Sequence, residues 1–372
     1  MEFFISRETI LEGIQKTLGI VEKRTTLPIL SNVLIRTGEG QIRIVATNRE
    51  IGLIADYPAD VIQQGEITLS ARKLYEMIRE VQGEVVHLKM NDVNWVSIKC
   101  GKVGYKIPGI GVDDFPNMTD DEDTKFYKIK ASILEEVIEK TFFAMSLEEM
   151  RIYLNGALME TEKDGERSII KMITTDGHRL AIVTMETGSQ DFLNLEKGII
   201  IPRKGISEIR KLIEGCEGEI EIGVRKGMCI IKRDGVVLKV SLIDSEYPDY
   251  RKVLPKEKGS AIEFDREQLL RSLKRMNVIA SEKYYGVRIK VAGDKMLLSS
   301  TNPDIGEAYD EVDITPVDKE IEIGYNVNYL IDAIEVIDEK KGLFEIRDGL
   351  KPASIRPFES KDYMCIIMPM KI

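Results

Sequence analysis

The chain has 372 residues, of which 43% are hydrophobic and 31% charged, and its formal net charge is −10. This composition is typical of a soluble globular protein of two or three domains. It excludes disordered, fibrous and membrane-spanning classes, because no apolar run approaches the roughly 20 residues that cross a bilayer. The negative net charge argues against a protein whose whole surface binds nucleic acid, but it is compatible with a local basic surface.

The N-terminus and the cysteines favour a cytoplasmic protein. Residues 1–6 lack the basic and apolar segments of a signal peptide. The cysteines are widely spaced and form no CxxC pair, so we expect reduced and mostly buried thiols. They are Cys100, Cys216, Cys229 and Cys365.

A strand followed by an amphipathic helix occurs three times along the chain. The first helix of each repeat is marked by an apolar pair at i and i+4, which falls on one helix face. These pairs are Ile10/Ile14, Leu134/Ile138 and Leu269/Leu273. The repeats lie about 125 residues apart, which is a common domain size.

A second amphipathic helix follows later in each repeat, around residues 74–81, 206–213 and 327–334. Strand-like runs fill the remaining segments. Short turns between such runs predict hairpins at Gly38-Glu39-Gly40, Asp234-Gly235 and Gly293-Asp294. Linkers rich in Asp, Pro and Lys follow the first and second repeats.

These patterns predict an α+β protein made of three repeated domains, each with an antiparallel sheet and two helices. The predicted domain boundaries are 1–124, 125–255 and 256–372.

Basic side chains concentrate on the polar faces and approaches of the helices in all three repeats. A solvated surface would explain any one helix, whereas the repetition favours a shared basic surface. The sequence contains no base-reading motif, so any contact with nucleic acid should be to phosphates and independent of sequence. The candidate contacts are Arg24, Arg72, Arg79, Arg203, Lys204, Arg210, Arg271 and Arg275.

Six short motifs follow one another along the whole chain. They are Thr26-Leu27-Pro28-Ile29-Leu30, Ala71-Arg72-Lys73, Thr175-Asp176-Gly177-His178-Arg179-Leu180, Pro202-Arg203-Lys204-Gly205, Tyr247-Pro248-Asp249-Tyr250-Arg251 and Met368-Pro369-Met370. As a set, these motifs resemble the bacterial DNA polymerase III β subunit family of sliding clamps.

The resemblance implies a head-to-tail homodimer that closes into a ring of six domains around duplex DNA, with helices lining the hole. It implies a non-catalytic processivity factor without cofactor or metal, located in the cytoplasm on the nucleoid during replication. The implied partners are double-stranded DNA, the replicative polymerase, the clamp loader and repair proteins. The proteins would bind through short linear motifs.

The resemblance also implies two protein-binding sites. A partner-peptide pocket between the second and third domains would use Tyr153, Leu154, Thr175, Gly177, His178, Arg179, Leu180, Pro248, Lys252, Val253, Ile366, Met368, Pro369 and Met370. A dimer interface between the first domain of one chain and the third of the other would use Lys73, Tyr105, Ile107, Val278, Ile279 and Glu307.

The sequence departs from the usual family residues at a few places in these sites, namely Glu148, Lys252, Lys371 and Ile372. Glu148 is excluded from the DNA contacts because its charge would repel phosphate. Independently of the resemblance, a C-terminus rich in Met, Ile and Pro suits a surface that accepts several partners. The alternative is a terminal strand packed into a domain core.

Parts of the sequence are compatible with two other functions. Asp176 and His178, next to Thr175, could suggest acid–base catalysis. The chain has only two histidines, however, and lacks hydrolase, metalloprotease and P-loop motifs. His87 lies in a strand-like run and is interpreted as structural. A scaffold that binds proteins but not DNA is the alternative function.

Overall fold

In a computed structural model of the chain, nine segments are described: residues 1–22, 26–92, 94–118, 123–148, 150–188, 193–195, 197–255, 259–347 and 351–371. Two residues singled out above, Arg24 and Ile372, lie outside these segments.

The described helices are α1 (Arg7–Thr17), α2 (Ala71–Glu80), α3 (Ala131–Glu139), α4 (Arg203–Ile213), α5 (Arg266–Ile279) and α6 (Val327–Glu335). Within the described segments, none of these helices has both the length and the apolar character needed to span a membrane.

The strands before α4 are β1 (Glu2–Ser6), β2 (Asn32–Thr37), β3 (Gln41–Thr47), β4 (Ile51–Pro58), β5 (Asp60–Gln63), β6 (Glu66–Ser70), β7 (Val85–Asp92), β8 (Trp95–Cys100), β9 (Val103–Pro108), β10 (Tyr127–Lys130), β11 (Gly156–Asp164), β12 (Arg167–Thr175), β13 (Arg179–Glu186) and β14 (Ile199–Pro202). The later strands are β15 (Glu219–Arg225), β16 (Met228–Arg233), β17 (Val236–Ser241), β18 (Ser260–Asp265), β19 (Gly286–Asn302), β20 (Gly306–Asn326), β21 (Lys341–Ile346), β22 (Ala353–Pro357) and β23 (Tyr363–Ile367).

The chain divides into two compact units. Unit 1 comprises Met1–Ala131 and Ser207–Leu242, and unit 2 comprises Ser132–Ile206 and Ile243–Ile372. Strands of the predicted central domain contribute to both units, because sheets continue through backbone hydrogen bonds from one repeat into the next. In unit 1, β17 pairs with β4, and in unit 2, β13 pairs with β23.

Unit 1 contains two antiparallel sheets, helices α1 and α2, and the part of α4 from Ser207 onwards. The strand orders are β5-β1-β7-β8-β9 and β10-β15-β16-β17-β4-β3-β2-β6. Helices α1 and α2 pack together, and the predicted apolar residues Ile10 and Ile14 are buried. On α2, Leu74 and Ile78 are buried, which leaves the charged side chains of that helix in solvent.

Unit 2 is built on one ten-stranded sheet with the order β14-β11-β12-β13-β23-β22-β21-β18-β20-β19. Helices α5 and α6 pack together beside it, and the predicted residues Leu269 and Leu273 are buried. Both helices begin at a side-chain cap: Asp265 accepts from the Gln268 N–H at 2.8 Å, and Asn326 accepts from the Asn328 N–H at 2.9 Å.

Two of the three predicted hairpin turns are confirmed and one is wrong. Gly38-Glu39-Gly40 connects β2 to β3, and Asp234-Gly235 connects β16 to β17 with both residues at positive φ. Gly293-Asp294 instead lies inside β19, which pairs with β20 along its whole length and shifts register around Gly293. A glycine at φ 59° serves a bulge as well as a turn, so the local pattern could not separate the two.

The cysteines are free thiols, as predicted. Cys100, Cys229 and Cys365 are buried and Cys216 is half-buried. His87 is held between Glu2, at 2.8 Å, and the ring of Phe4, whose centroid lies 4.3 Å away. The structure therefore accounts for His87 by packing.

Candidate partner-binding pocket and basic helix faces

Unit 2 contains a cavity of about 160 Å³ beside the start of β13, where four segments that are remote in the sequence meet. Its lining residues are Leu154, Thr175, Gly177, Arg179, Leu180, Pro248, Asp249, Tyr250, Val253, Ile366 and Met368. The structure thus brings together nine of the fourteen residues predicted for the pocket. The other five do not line the cavity: Tyr153, His178, Lys252, Pro369 and Met370.

The first wall is the turn between β12 and β13, which the Thr-Asp-Gly motif shapes. The Asp176 carboxylate accepts from the backbone N–H groups of His178 and Arg179, both at 2.9 Å, while the Gly177 N–H donates to the Thr175 hydroxyl at 3.0 Å. Gly177 has φ 90°, which a residue with a side chain rarely adopts. Because Asp176 is committed to this turn, the structure gives no support to the acid–base interpretation.

Arg179 ties this turn to α6. Its guanidinium donates to Asp332 at 2.5 Å, to Asp176 at 3.0 Å and to the Phe143 carbonyl at 2.6 Å, and it lies over the Tyr329 ring. Burial works to lower the pKa of Arg179, but the hydrogen bond to Asp332 and the charge of Asp176 hold that pKa above its ordinary value. The side chain therefore positions the wall, and its donors are largely used within the protein.

The second wall is the linker after β17, and Tyr250 anchors it. The Tyr250 hydroxyl donates to the Glu160 carboxylate of β11 at 2.8 Å, and Arg251 donates to the same carboxylate at 3.3 Å. Asp249 begins the short turn by accepting from the Arg251 N–H. Asp249 and Tyr250 both line the cavity, although the sequence motif that contains them did not predict this role.

The third wall is the C-terminal strand. Leu180 of β13 is paired with Ile366 of β23, and the Met368 N–H donates to the His178 carbonyl at 2.9 Å. Leu154, Leu180 and Ile366 are buried and form an apolar floor. Beyond the pocket, the Met370 N–H donates to the Gly324 carbonyl, which holds the end of the chain against β20.

Replacing Tyr250 by Phe tests the anchoring of the linker wall. The change leaves the mostly buried Glu160 carboxylate with one donor fewer, so we expect the free energy of unfolding to fall by about 1–2 kcal/mol. Urea unfolding would measure it, with Tyr284→Phe as the control because Tyr284 is exposed. An unchanged unfolding midpoint would show that the hydrogen bond does not hold the wall.

The predicted DNA-contacting residues differ in whether a carboxylate forms an ion pair with them. Arg72 and Lys204 are exposed, and among the described residues no carboxylate forms an ion pair with either. Arg79 pairs with Glu80 at 2.9 Å, Arg271 with Glu267, and Arg275 with Asp310. Arg210 is also exposed, on α4.

Arg203 differs from the expectation of an exposed phosphate ligand. Its side chain is half-buried, donates to the carbonyls of Phe142 at 3.1 Å and Met145 at 3.2 Å, and lies over the Phe142 ring. Burial, and then the charge of Arg179, lower the pKa of Arg203. The pattern of basic residues at the start of α4 could not show that this side chain turns inward.

The predicted dimer residues lie at a sheet edge and a helix surface in unit 1, and at a helix end and a strand start in unit 2. Tyr105 and Ile107 lie half-buried on β9, the last strand of the five-stranded sheet, and Lys73 is exposed on α2 with Glu76 2.9 Å away. In unit 2, Val278 and Ile279 end α5, and Glu307 is exposed near the start of β20.

Comparison with known proteins places the chain in a family. Three sequence models match it in order: DNA polymerase III beta subunit, N-terminal domain (residues 1–119), central domain (128–249) and C-terminal domain (251–371). The beta sliding clamp of Pseudomonas aeruginosa is 31% identical over 375 residues, which cover 100% of both chains. The chain belongs to the DNA polymerase III beta subunit family.

Solved structures of sliding clamps share the fold over the full length. The DNA polymerase sliding clamp of Caulobacter crescentus superposes with a TM-score of 0.94 at 28% identity, covering 100% of both chains. A sliding clamp of Bartonella birtlesii bound to griselimycin gives the same TM-score, identity and coverage. The prediction of three domains of antiparallel sheet and helices is therefore confirmed.

Proposed function

We propose that the chain is a DNA sliding clamp that encircles duplex DNA and confers processivity on a replicative polymerase without catalysis. The observation that carries the proposal is the match to beta sliding clamps over the complete length of both chains. Within the described residues, no cluster of His, Cys, Asp or Glu is arranged to hold a metal. The proposed clamp has three domains, which comprise residues 1–124, 125–255 and 256–372.

The pocket of unit 2 is the proposed tether for partner proteins. Leu154, Leu180 and Ile366 offer an apolar floor for Leu and Phe side chains, and Met368 can adjust its shape at the rim. Polymerase, clamp loader and repair proteins would each insert a short extended segment there. A ligand-bound relative, the griselimycin complex, supports the view that clamps of this family offer a small-ligand site.

The proposed ring is a head-to-tail homodimer joined through two strand edges. Strand β9 ends its sheet and carries the exposed Lys106. Among the described residues, residues 306–312 of β20 form backbone pairs only with β19, and they include Glu307 and the exposed Tyr309. Unpaired edges of opposite charge favour pairing of β9 in one protomer with β20 in its partner.

The exposed basic side chains are the proposed DNA contacts. Replacing Arg72 and Lys204 together by Ala should lower the salt dependence of binding to linear duplex DNA by about one unit per lost phosphate contact. Fluorescence anisotropy over a range of salt concentrations measures this slope. Lys361→Ala is the matched control, because Lys361 is exposed and lies outside the basic helices. Equal slopes in the double variant and the control would remove both residues from the DNA surface.

Circular DNA tests the function directly. After incubation with ATP, a bacterial clamp loader and nicked circular DNA, the protein should co-elute with the circle in gel filtration. Cutting the circle should release it, since a ring slides off free ends. Retention on cut DNA would contradict a ring. Failure to associate with the circle while peptide binding persists would favour the alternative, a scaffold that binds only proteins.

A further inference from the structure

An apolar cluster in unit 1 repeats the one that surrounds the pocket of unit 2. It consists of Ile29, Leu30, Leu34, Val45 and Phe115, against which Ile54, Val112 and Met118 pack, and we call it the unit 1 cluster. Four of its side chains have counterparts around the pocket at the repeat spacing of about 125 residues. These pairs are Leu30 with Leu154, Leu34 with Leu158, Val45 with Ile173 and Ile54 with Ile182. The two clusters therefore occupy equivalent places in the first and second repeats.

The strand pairing beside the two clusters is equivalent as well. In unit 2, β13 pairs with β23, and Leu180 lies opposite Ile366. In unit 1, β4 pairs with β17 in the same antiparallel manner, and Gly52 lies opposite Lys239. Unit 1 therefore has the same backbone frame as the pocket, with a glycine in place of Leu180 and a buried lysine in place of Ile366.

The linker that follows each domain places a different side chain against this frame. Met118 ends the stretch Phe115-Pro116-Asn117-Met118, which corresponds to Tyr247-Pro248-Asp249-Tyr250 in unit 2. Tyr250 is fixed in the pocket wall by its hydroxyl, which donates to a carboxylate of β11. Met118 has no hydroxyl, and its sulfur and terminal methyl lie so close to Gly52 that a Cβ added to this glycine would overlap both. A side chain of the chain itself therefore fills the floor of the unit 1 frame.

We propose that the unit 1 cluster is a second pocket for an extended peptide segment with an apolar anchor, and that Met118 occupies it when no partner is bound. The inference rests on the proposed function of the pocket in unit 2. The resident methionine shows that the site accepts a long apolar side chain, which is the chemistry of a Leu or Phe anchor. Met118 is only half-buried, so an anchor of a partner can replace it. Because Lys239 takes the place of Ile366, the second pocket should bind more weakly than the first.

Counting the bound peptides tests the proposal. The Gln-Leu-Ala-Leu-Phe peptide, with a photoreactive benzoyl group on its Phe, is titrated by calorimetry against the native chain and against Met118→Ala. The substitution removes the side chain that competes with the peptide, so the second site should bind roughly tenfold more tightly in the variant. The number of peptides bound per chain at micromolar concentration should rise from one to two. Irradiation followed by digestion should place the second peptide in unit 1.

Two further variants bear on the same site. Met118→Leu is the matched control, because leucine keeps an apolar side chain in the site and should leave one peptide per chain. Gly52→Ala displaces Met118 from the opposite side through its added Cβ, so it should also add a second peptide. It repeats the measurement if circular dichroism shows that Met118→Ala does not fold.

The outcomes separate this inference from the proposed pocket of unit 2. A folded Met118→Ala chain that binds one peptide, crosslinked in unit 2 alone, would overturn the second pocket and leave the first in place. A peptide crosslinked in unit 1 of Met118→Ala, with none bound to the native chain, would support the second pocket and contradict the first. Absence of binding to every variant would overturn both.

Discussion

A protein that lacks residues 368–372 is expected to bind the Gln-Leu-Ala-Leu-Phe peptide at least tenfold more weakly than the full-length chain. The deletion removes Met368 from the pocket and with it the hydrogen bond from the Met368 N–H to the His178 carbonyl. Met368 is half-buried, and the loss of such a contact commonly costs about 1–2 kcal/mol, which weakens a micromolar interaction roughly tenfold. Anisotropy of the labelled peptide measures the loss.

The fold should survive this deletion. Residues 363–367 keep their pairing with β13, and Ile366 and Tyr363 stay buried in unit 2. The matched control removes only Lys371 and Ile372, which leaves Met368 and the Met370 bond to Gly324 in place, and should bind the peptide normally. Light scattering on both truncated proteins checks the dimer. Unchanged affinity in the longer deletion, with the dimer intact, would place the partner site elsewhere.

Replacing Val278 by Arg is expected to raise the dissociation constant of the dimer at least a hundredfold. Val278 is 76% exposed near the end of α5, where the proposed interface would bury it. An arginine there would be buried against the basic edge of the partner, at a cost of about 3 kcal/mol or more. A cation is well tolerated near a helix C-terminus, so the isolated protomer should stay folded. Sedimentation velocity at micromolar concentration measures the change.

The same variant tests ring formation and peptide binding independently of each other. The pocket lies within unit 2 of a single chain, so the Val278→Arg protein should bind the Gln-Leu-Ala-Leu-Phe peptide with unchanged affinity but should no longer stay on circular DNA. Ile62→Arg is the control, because it places the same charge at a residue of comparable exposure on β5. A Val278→Arg protein that is still dimeric would remove the end of α5 from the interface.

Local sequence patterns predicted the helices and much of the pocket. Apolar pairs such as Ile10/Ile14 predicted buried helix faces because helical periodicity depends only on neighbours along the chain. The Thr175-Asp176-Gly177 turn was recognisable for the same reason, since its hydrogen bonds join residues at most four positions apart. Family resemblance then supplied the second and third walls, which no periodicity could have connected.

The sequence by itself determined the α+β class, the three repeats and the family, because each of these is encoded in short-range spacing or in motifs that keep their order. Only the tertiary structure decided how side chains are used. Arg179 donates to Asp332, 153 positions away, and Arg203 turns inward to two carbonyls although its neighbours suggested an exposed basic face. Gly293 became a bulge because β20 continues beside it. Whether a donor meets a remote carbonyl, a carboxylate or water depends on which strands lie beside it, and that is settled by packing rather than by local sequence.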